Sequence, residues 1–342
     1  MAPKAFIAGC SGPELSADER AFFREADPWG LILFARNCVD ADQIRALVAD
    51  YRDTVGRVDA PVLIDQEGGR VQRLKPPQWP VYPPAAAIGT LYGRDRDDGT
   101  RAAWLLGRLI GEDLFALDIT VDCVPCIDIR IPGAHDIIGD RSFGTDPAVV
   151  AHLAGAVTCG LAAAGVAPVM KHIPGHGRAL ADSHFELPSV GTEREELERL
   201  DFEPFRRLAA LPMAMTAHVI YSAVDAELPA TLSATVVDDI IRRSIGFDGL
   251  LMTDDLSMNA LSGSLESRTG ASMAAGCDMA LHCNGDLAEM TAVASEVREL
   301  SGRPAERAAA ALDWAVREET DIVAARREFE ALIDAAAPAG EA

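Results

Sequence analysis

Residues 166–184 read Val-Ala-Pro-Val-Met-Lys-His-Ile-Pro-Gly-His-Gly-Arg-Ala-Leu-Ala-Asp-Ser-His. The run 166–170 is apolar and short, which predicts a buried strand. Pro174, Gly175 and Gly177 then forbid a helix and force a loop. Between 171 and 184 lie Lys171, His172, His176, Asp182 and His184, three histidines within fourteen residues. Titratable side chains are thus concentrated where a core strand emerges into a loop. Proteins built from alternating strands and helices keep their chemistry at such places.

Outward from this strand, further apolar, β-branched runs recur at 5–8, 31–34, 62–64, 119–124, 214–217, 250–252 and 279–281. Helical patterns lie between most of them. Asp42 opens one, with Ile44, Leu47, Val48 and Tyr51 on a single face. Thr192-Glu193-Arg194-Glu195 reads as a capping box that opens another. Residues 233–244 read as a third helix, stopped by Gly246. Alternation of this kind implies an α/β fold with a parallel sheet and right-handed crossovers. Eight strands close a (β/α)8 TIM barrel, and an open doubly wound sheet is the alternative from pattern alone. No repeat or internal linker divides the chain, so residues 1–342 read as one domain. The Ala-, Arg- and Glu-rich stretch 304–337 reads as helix on the barrel exterior, and 338–342 as a frayed tail.

Composition narrows the class. Hydrophobic residues make up 49% and charged residues 25%, as in a soluble globular protein. A net charge of −22 repels phosphates, which argues against nucleic acid or an anionic membrane as partner. The N-terminus lacks a long apolar segment of the signal-peptide kind, and seven cysteines in mostly apolar runs suit reduced thiols in a cytoplasm. Cys123 and Cys126 form a Cys-x-x-Cys pair. No second pair has zinc spacing, so the pair reads as buried strand. The His172–His176 spacing suits zinc only on a helix, which Pro174 and the glycines exclude, so no metal is expected. Gly68-Gly69 lacks the remainder of a phosphate-binding loop, and no cofactor is expected.

On this strand map Asp65, Asp128, Lys171, His172, His218 and Asp254 each fall at the C-terminal end of a predicted strand. In a parallel barrel those ends converge on one face. The blocks that carry them resemble the family 3 glycoside hydrolases, specifically their single-domain β-N-acetylglucosaminidases. That family has Lys-His-Phe-Pro-Gly-His-Gly followed by Asp-Ser-His, and here Ile173 replaces the Phe. The resemblance extends through Ile64–Arg73, Gly139–Phe143, Thr216–Val219 and Thr253–Met258, in the family order.

The resemblance favours the closed barrel and implies a retaining exo-β-N-acetylglucosaminidase. Its substrate would be a muropeptide or small glycoside, in particular N-acetylglucosamine linked to 1,6-anhydro-N-acetylmuramic acid, met during peptidoglycan recycling. Asp254 matches the nucleophile, a carboxylate that forms the glycosyl-enzyme. An Asp at a strand end can instead cap the next helix, and Asp255 suits that role better. His184 matches the acid/base and Asp182 its partner; an imidazole titrates near neutral pH and can both donate and accept the proton. Asp65, Arg73, Arg141, Lys171 and His172 match the pocket for the terminal sugar, with bracing ion pairs as their alternative role. Glu67 receives no role. A glycoside phosphorylase, a β-glucosidase and a non-catalytic sugar-binding barrel are the rival readings.

Overall fold

The sheet closes on itself. In the computed structural model, which describes residues 2–183 and 186–336, eight strands pair in parallel around a complete ring. They are β1 (Lys4–Ala8), β2 (Pro28–Leu33), β3 (Val62–Ile64), β4 (Val121–Asp122), β5 (Ala167–Ile173), β6 (Met213–Thr216), β7 (Leu250–Asp255) and β8 (Met279–His282). Each strand pairs with its sequence neighbours, and β8 returns to β1 through Phe6 and Ala280. The (β/α)8 barrel, which the alternation allowed and the resemblance favoured, is therefore present, and the open sheet is not.

Alternation along the strands separates two apolar surfaces. Ile7, Leu63, Val121, Val169, Met213, Met215, Leu250, Met252, Met279 and Leu281 fill the barrel interior. Their neighbours Phe6, Val62, Ile64, Met170, Ala214, Leu251 and Ala280 pack outward into the helical layer. Leu300, Ala308 and Ala311 join the inner cluster and cover the N-terminal end of the barrel, where the backbone at Lys4 pairs antiparallel with that at Glu299. The opposite end stays open.

The helices differ from expectation mainly at their ends. The first of the three predicted above spans Ala41–Val55, with Asp40 rather than Asp42 at its start. The Asp40 side chain accepts the Gln43 N–H, while Ile44, Leu47, Val48 and Tyr51 are buried as expected. The Thr192 capping box does not form. That helix is Arg194–Arg199, and the Glu193 carbonyl takes the Glu196 and Leu197 N–H groups instead. Such short helices satisfy their ends through the backbone as readily as through a side chain. Residues 236–245 form a π-helix begun by the Ser233 hydroxyl, which accepts the Val236 N–H, and ended by Gly246 at φ +81°. Only glycine adopts that left-handed conformation readily.

The stretch 304–337 is two helices, Gly302–Leu312 and Ile322–Ala336, rather than one. The chain between them is pinned to the barrel: Arg317 lies 3.9 Å from the Phe115 ring centroid, and the Glu318 N–H reaches the Ala163 carbonyl. No helix among the described residues is long and apolar enough to cross a membrane. His184 and the expected tail at 338–342 lie outside the described residues.

Candidate active site

The open end of the barrel holds a cavity of about 450 Å³. Asp65, Arg73, Arg141, Lys171, His172 and Asp254 all line it, six residues drawn from segments up to 189 positions apart. Asp65 follows directly on β3, Arg73 follows the hairpin after it, and Arg141 ends the 3-10 turn Gly139–Arg141. Lys171 and His172 belong to β5 itself, which runs further than the apolar stretch alone suggested. Asp254 lies in β7 with the same parity as Leu250 and Met252, whose side chains fill the interior.

The adjacent carboxylates divide as the chemistry of capping requires. Asp255 accepts the Ser257 N–H at 3.0 Å, the Ser257 hydroxyl at 2.7 Å and the Cys283 N–H at 3.3 Å. It braces the turn after β7. Asp254 accepts the Asp255 N–H at 2.8 Å, which fixes its carboxylate at the cavity wall.

Lys171 sits between two carboxylates, 2.7 Å from Asp65 and 2.7 Å from Glu67. Arg73 closes on the other Asp65 oxygen at 2.9 Å, and Arg141 grips Glu67 with two N–H groups at 2.8 and 2.9 Å. Burial alone would raise both carboxyl pKa values. Lys171 with Arg73 outweighs it at Asp65, and Arg141 with Lys171 outweighs it at Glu67, so both are held well below the usual carboxylate range. Burial opposes the charge on Lys171 too, yet the two carboxylates hold it above its ordinary value. The whole cluster is ionised at neutral pH. The bracing ion pairs foreseen for the arginines are present, and both residues still line the cavity.

Glu67 is the residue that sequence reasoning left unassigned. Its signal is its spacing from Asp65: in the extended segment entering the hairpin of Gln66–Gly68 with Val71–Gln72, alternate side chains share a side. Gln66 points the other way, and its amide binds the Arg73 and Leu74 N–H groups and the Leu74 carbonyl.

Asp128 forms a second centre. It is fully buried and accepts the His172 ring at 2.7 Å, the His172 N–H at 3.2 Å, the His176 N–H at 2.6 Å and the Cys126 thiol at 3.4 Å. Burial opposes its charge, but His172 and His176 lower its pKa to about 2. An ionised acceptor at Nδ1 requires that nitrogen to carry the proton, which leaves Nε2 as the other bonding atom of the His172 ring. The ligand atoms of Cys126, Asp128 and His172 lie within 4.8 Å of one another. Among the described residues this is where a metal ion would find three donors, although the same atoms are bonded to one another. Cys123 takes no part in that group; it packs inside the barrel.

Asp182 is half-buried and is not among the residues lining the cavity; its carbonyl accepts the Glu186 N–H at 3.1 Å. Between it and His184 lies Ser183, buried, with its hydroxyl 3.0 Å from His176 Nε2. His218 is buried beside the site, its Nε2 3.0 Å from the Asp255 carbonyl, which it can only meet as a donor. It steadies the end of β7.

A closed parallel barrel with charged side chains gathered at its C-terminal mouth is the layout of a barrel enzyme that acts on a small polar substrate. The family is then a matter of sequence. Residues 12–314 match the glycosyl hydrolase family 3 N terminal domain, and the chain belongs to that family of glycoside hydrolases. It is 40% identical over 280 residues to a β-hexosaminidase of Alkalilimnicola ehrlichii, covering 81% of this chain and 79% of that one. It is 38% identical over 331 residues to a β-hexosaminidase of Methylococcus capsulatus, covering 94% and 96%. Among solved structures, NagZ from Neisseria gonorrhoeae in complex with N-trifluoroacetyl-D-glucosamine superposes with a TM-score of 0.87 at 29% identity, over 99% of both chains. A family 3 β-N-acetylglucosaminidase from Paenibacillus gives 0.80 at 33% identity, with 99% of this chain and 63% of that one covered.

Proposed function

We propose that this chain is a retaining exo-β-N-acetylglucosaminidase. The observation that carries the reading is the meeting of Asp254 with the Asp65–Lys171–Arg73 cluster in one cavity. The likeness to β-hexosaminidases and to a NagZ structure holding an N-acetylglucosamine analogue supports it.

In this reading Asp65, Arg73, Arg141, Lys171 and His172 hold a non-reducing terminal N-acetylglucosamine. The Asp65 carboxylate accepts hydroxyl protons, and the cations and His172 fix the ring orientation. Asp254 attacks the anomeric carbon and forms a glycosyl-enzyme. His184, oriented by Asp182, gives its proton to the leaving oxygen and then takes one from the incoming water. Two displacements at one carbon return the β configuration. The natural substrate is N-acetylglucosamine linked to 1,6-anhydro-N-acetylmuramic acid, with or without its peptide, in cytoplasmic peptidoglycan recycling.

The test is the product. Proton NMR of the hydrolysis of an aryl N-acetyl-β-glucosaminide should show the β-anomer of the free sugar first. Asp254→Asn should lower kcat by several orders of magnitude while sugar still binds. Initial release of the α-anomer, or Asp254→Asn activity within tenfold of the parent, refutes the proposal. A sugar 1-phosphate formed when phosphate is supplied would select the phosphorylase instead.

A further inference from the structure

Ser183 stands between the two residues of the proposed acid/base pair, and it is held from two sides. Its hydroxyl lies 3.0 Å from His176 Nε2, and its carbonyl accepts the Ala260 N–H at 3.2 Å. Both Ser183 and His176 are only 3% exposed. Ala260 belongs to the turn that follows β7, six residues beyond Asp254. His176 is anchored in turn: its N–H donates to Asp128 Oδ1 at 2.6 Å, and the other Asp128 oxygen holds His172 in the cavity wall. A continuous set of bonds therefore joins the end of β4, the loop after β5 and the turn after β7.

The His176 ring does not line the cavity. Its Nδ1 is buried without a hydrogen-bond partner among the described residues. Burial first, and His172 second, push its pKa down to about 4, so the ring is neutral. One nitrogen then carries a proton. A bare Nδ1 lone pair leaves only an unmet acceptor, whereas a proton there would be an orphaned buried donor, a rarer situation in folded proteins. The proton therefore sits on Nε2 and is donated to the Ser183 hydroxyl. A ring so placed, buried and away from the cavity wall, has one hydrogen bond among the described residues, and that bond is with the dyad segment.

We infer that His176 is a positioning residue for the proposed dyad: its Nε2–H docks Ser183, and so holds the chain at Asp182 and Ser183, immediately before His184 in sequence, against the turn that follows Asp254. The inference rests on the acid/base reading proposed above. A general acid must stand within hydrogen-bond reach of the leaving oxygen, and misplacement by about 1 Å can cost about a hundredfold. Ser183 has covalent neighbours on both sides that must act together, so a loose Ser183 loosens both. The Asp254 carboxylate has an anchor outside this segment, the Asp255 N–H at 2.8 Å.

Three variants test it. His176→Phe keeps a ring and removes the donor; Ser183→Ala removes one oxygen; Ser183→Thr retains the hydroxyl. Each is assayed on two substrates, an aryl N-acetyl-β-glucosaminide with a low-pKa phenol and a disaccharide with N-acetylglucosamine at its non-reducing end. The phenol leaves without a proton and the sugar does not. His176→Phe and Ser183→Ala should lower kcat/KM on the disaccharide by about 10- to 100-fold. On the aryl substrate kcat/KM, which reports the first step, should stay within about threefold, while kcat and KM fall together because the second step still needs the base; Ser183→Thr should be close to the parent on both. Equal losses of kcat/KM on both substrates, or none on either, overturn the inference. If His176→Phe does not fold, Ser183→Ala decides alone. His184→Ala, measured in parallel, separates the two claims. A leaving-group-dependent loss there without one in Ser183→Ala refutes the positioning role only. An equal loss there on both substrates refutes the acid/base reading and the positioning role with it.

Discussion

Replacing Glu67 by Gln should destabilise the protein more than any surface ion pair can. Glu67 is 8% exposed and receives three charged N–H groups, two from Arg141 and one from Lys171. Without its charge, the cations Lys171, Arg73 and Arg141 are left with Asp65 as the one carboxylate of the cluster, and among the described residues Arg141 keeps the Ile137 carbonyl as its hydrogen-bond acceptor. Breaking a buried pair by removing one partner costs about 3–5 kcal/mol. The Gln carbonyl still accepts one bond, which places the expected loss near the lower end, about 3 kcal/mol.

For 342 residues at about 2.1 cal/mol/K each, the unfolding entropy is roughly 0.7 kcal/mol/K, so Tm should fall by about 4 °C. Asp50→Asn is the control. Its partner Arg20 and Asp50 are 40% and 31% exposed, and such a pair contributes about 1 kcal/mol at most, hence a shift of about 1 °C. Calorimetry of the three proteins at pH 7 makes the comparison, and isothermal titration with N-acetylglucosamine should show weaker binding to Glu67→Gln because Lys171 and Arg141 are no longer held at the cavity. A Tm within 1 °C of the parent, together with unchanged sugar affinity, would refute the reasoning.

Two further outcomes follow from the loop after β5. The His176 pKa lies below its ordinary 6.5, at about 4, so the unfolded chain binds that proton more readily. Its contribution is complete above pH 6.5 and is lost as pH falls towards 4, by up to about 3 kcal/mol. Urea titrations across that window should show a steeper acid loss in the parent than in His176→Phe, and parallel curves would contradict it. At Gly177 an added Cβ would stand 1.9 Å from the Ile129 carbonyl oxygen, next to Asp128, so Gly177→Ala must displace backbone. It should cost about 1–3 kcal/mol in denaturant unfolding and lower turnover on both substrate types; a stable, fully active variant would show that the loop is not held as tightly as these contacts imply.

Much of the architecture is local, and so was legible in the chain. Strand positions follow from short apolar runs, because burial on both faces demands them. Thus β3 and β5 begin within a residue of where the runs place them, and Asp65, Lys171, His172 and Asp254 emerge at one end of the barrel. The glycine and proline in 174–177 exclude a helix from backbone geometry alone. Strand parity, the period-two alternation, is also local and groups Asp254 with Leu250 and Met252, but Asp255 lines the cavity as well, and its bonds to Ser257 and Cys283 are what tell the two apart. Helix caps were read less well, since Asp40 and Asp42, or Thr192 and Glu193, compete for neighbouring N–H groups, and packing of the helix on the barrel chooses between them.

What only the tertiary structure decided are the partners. Lys171 meets Asp65 across 106 positions, Arg141 meets Glu67 across 74, and His172 meets Asp128 across 44. A single chain carries no local mark of such pairings, because they depend on the order in which strands close the ring. The same holds for Ser183, which reads as a spacer between Asp182 and His184 until His176 folds back against it. Burial then gives each contact its weight: in water these charges would be solvated and nearly independent, and inside the barrel mouth each one sets the ionisation and position of the next.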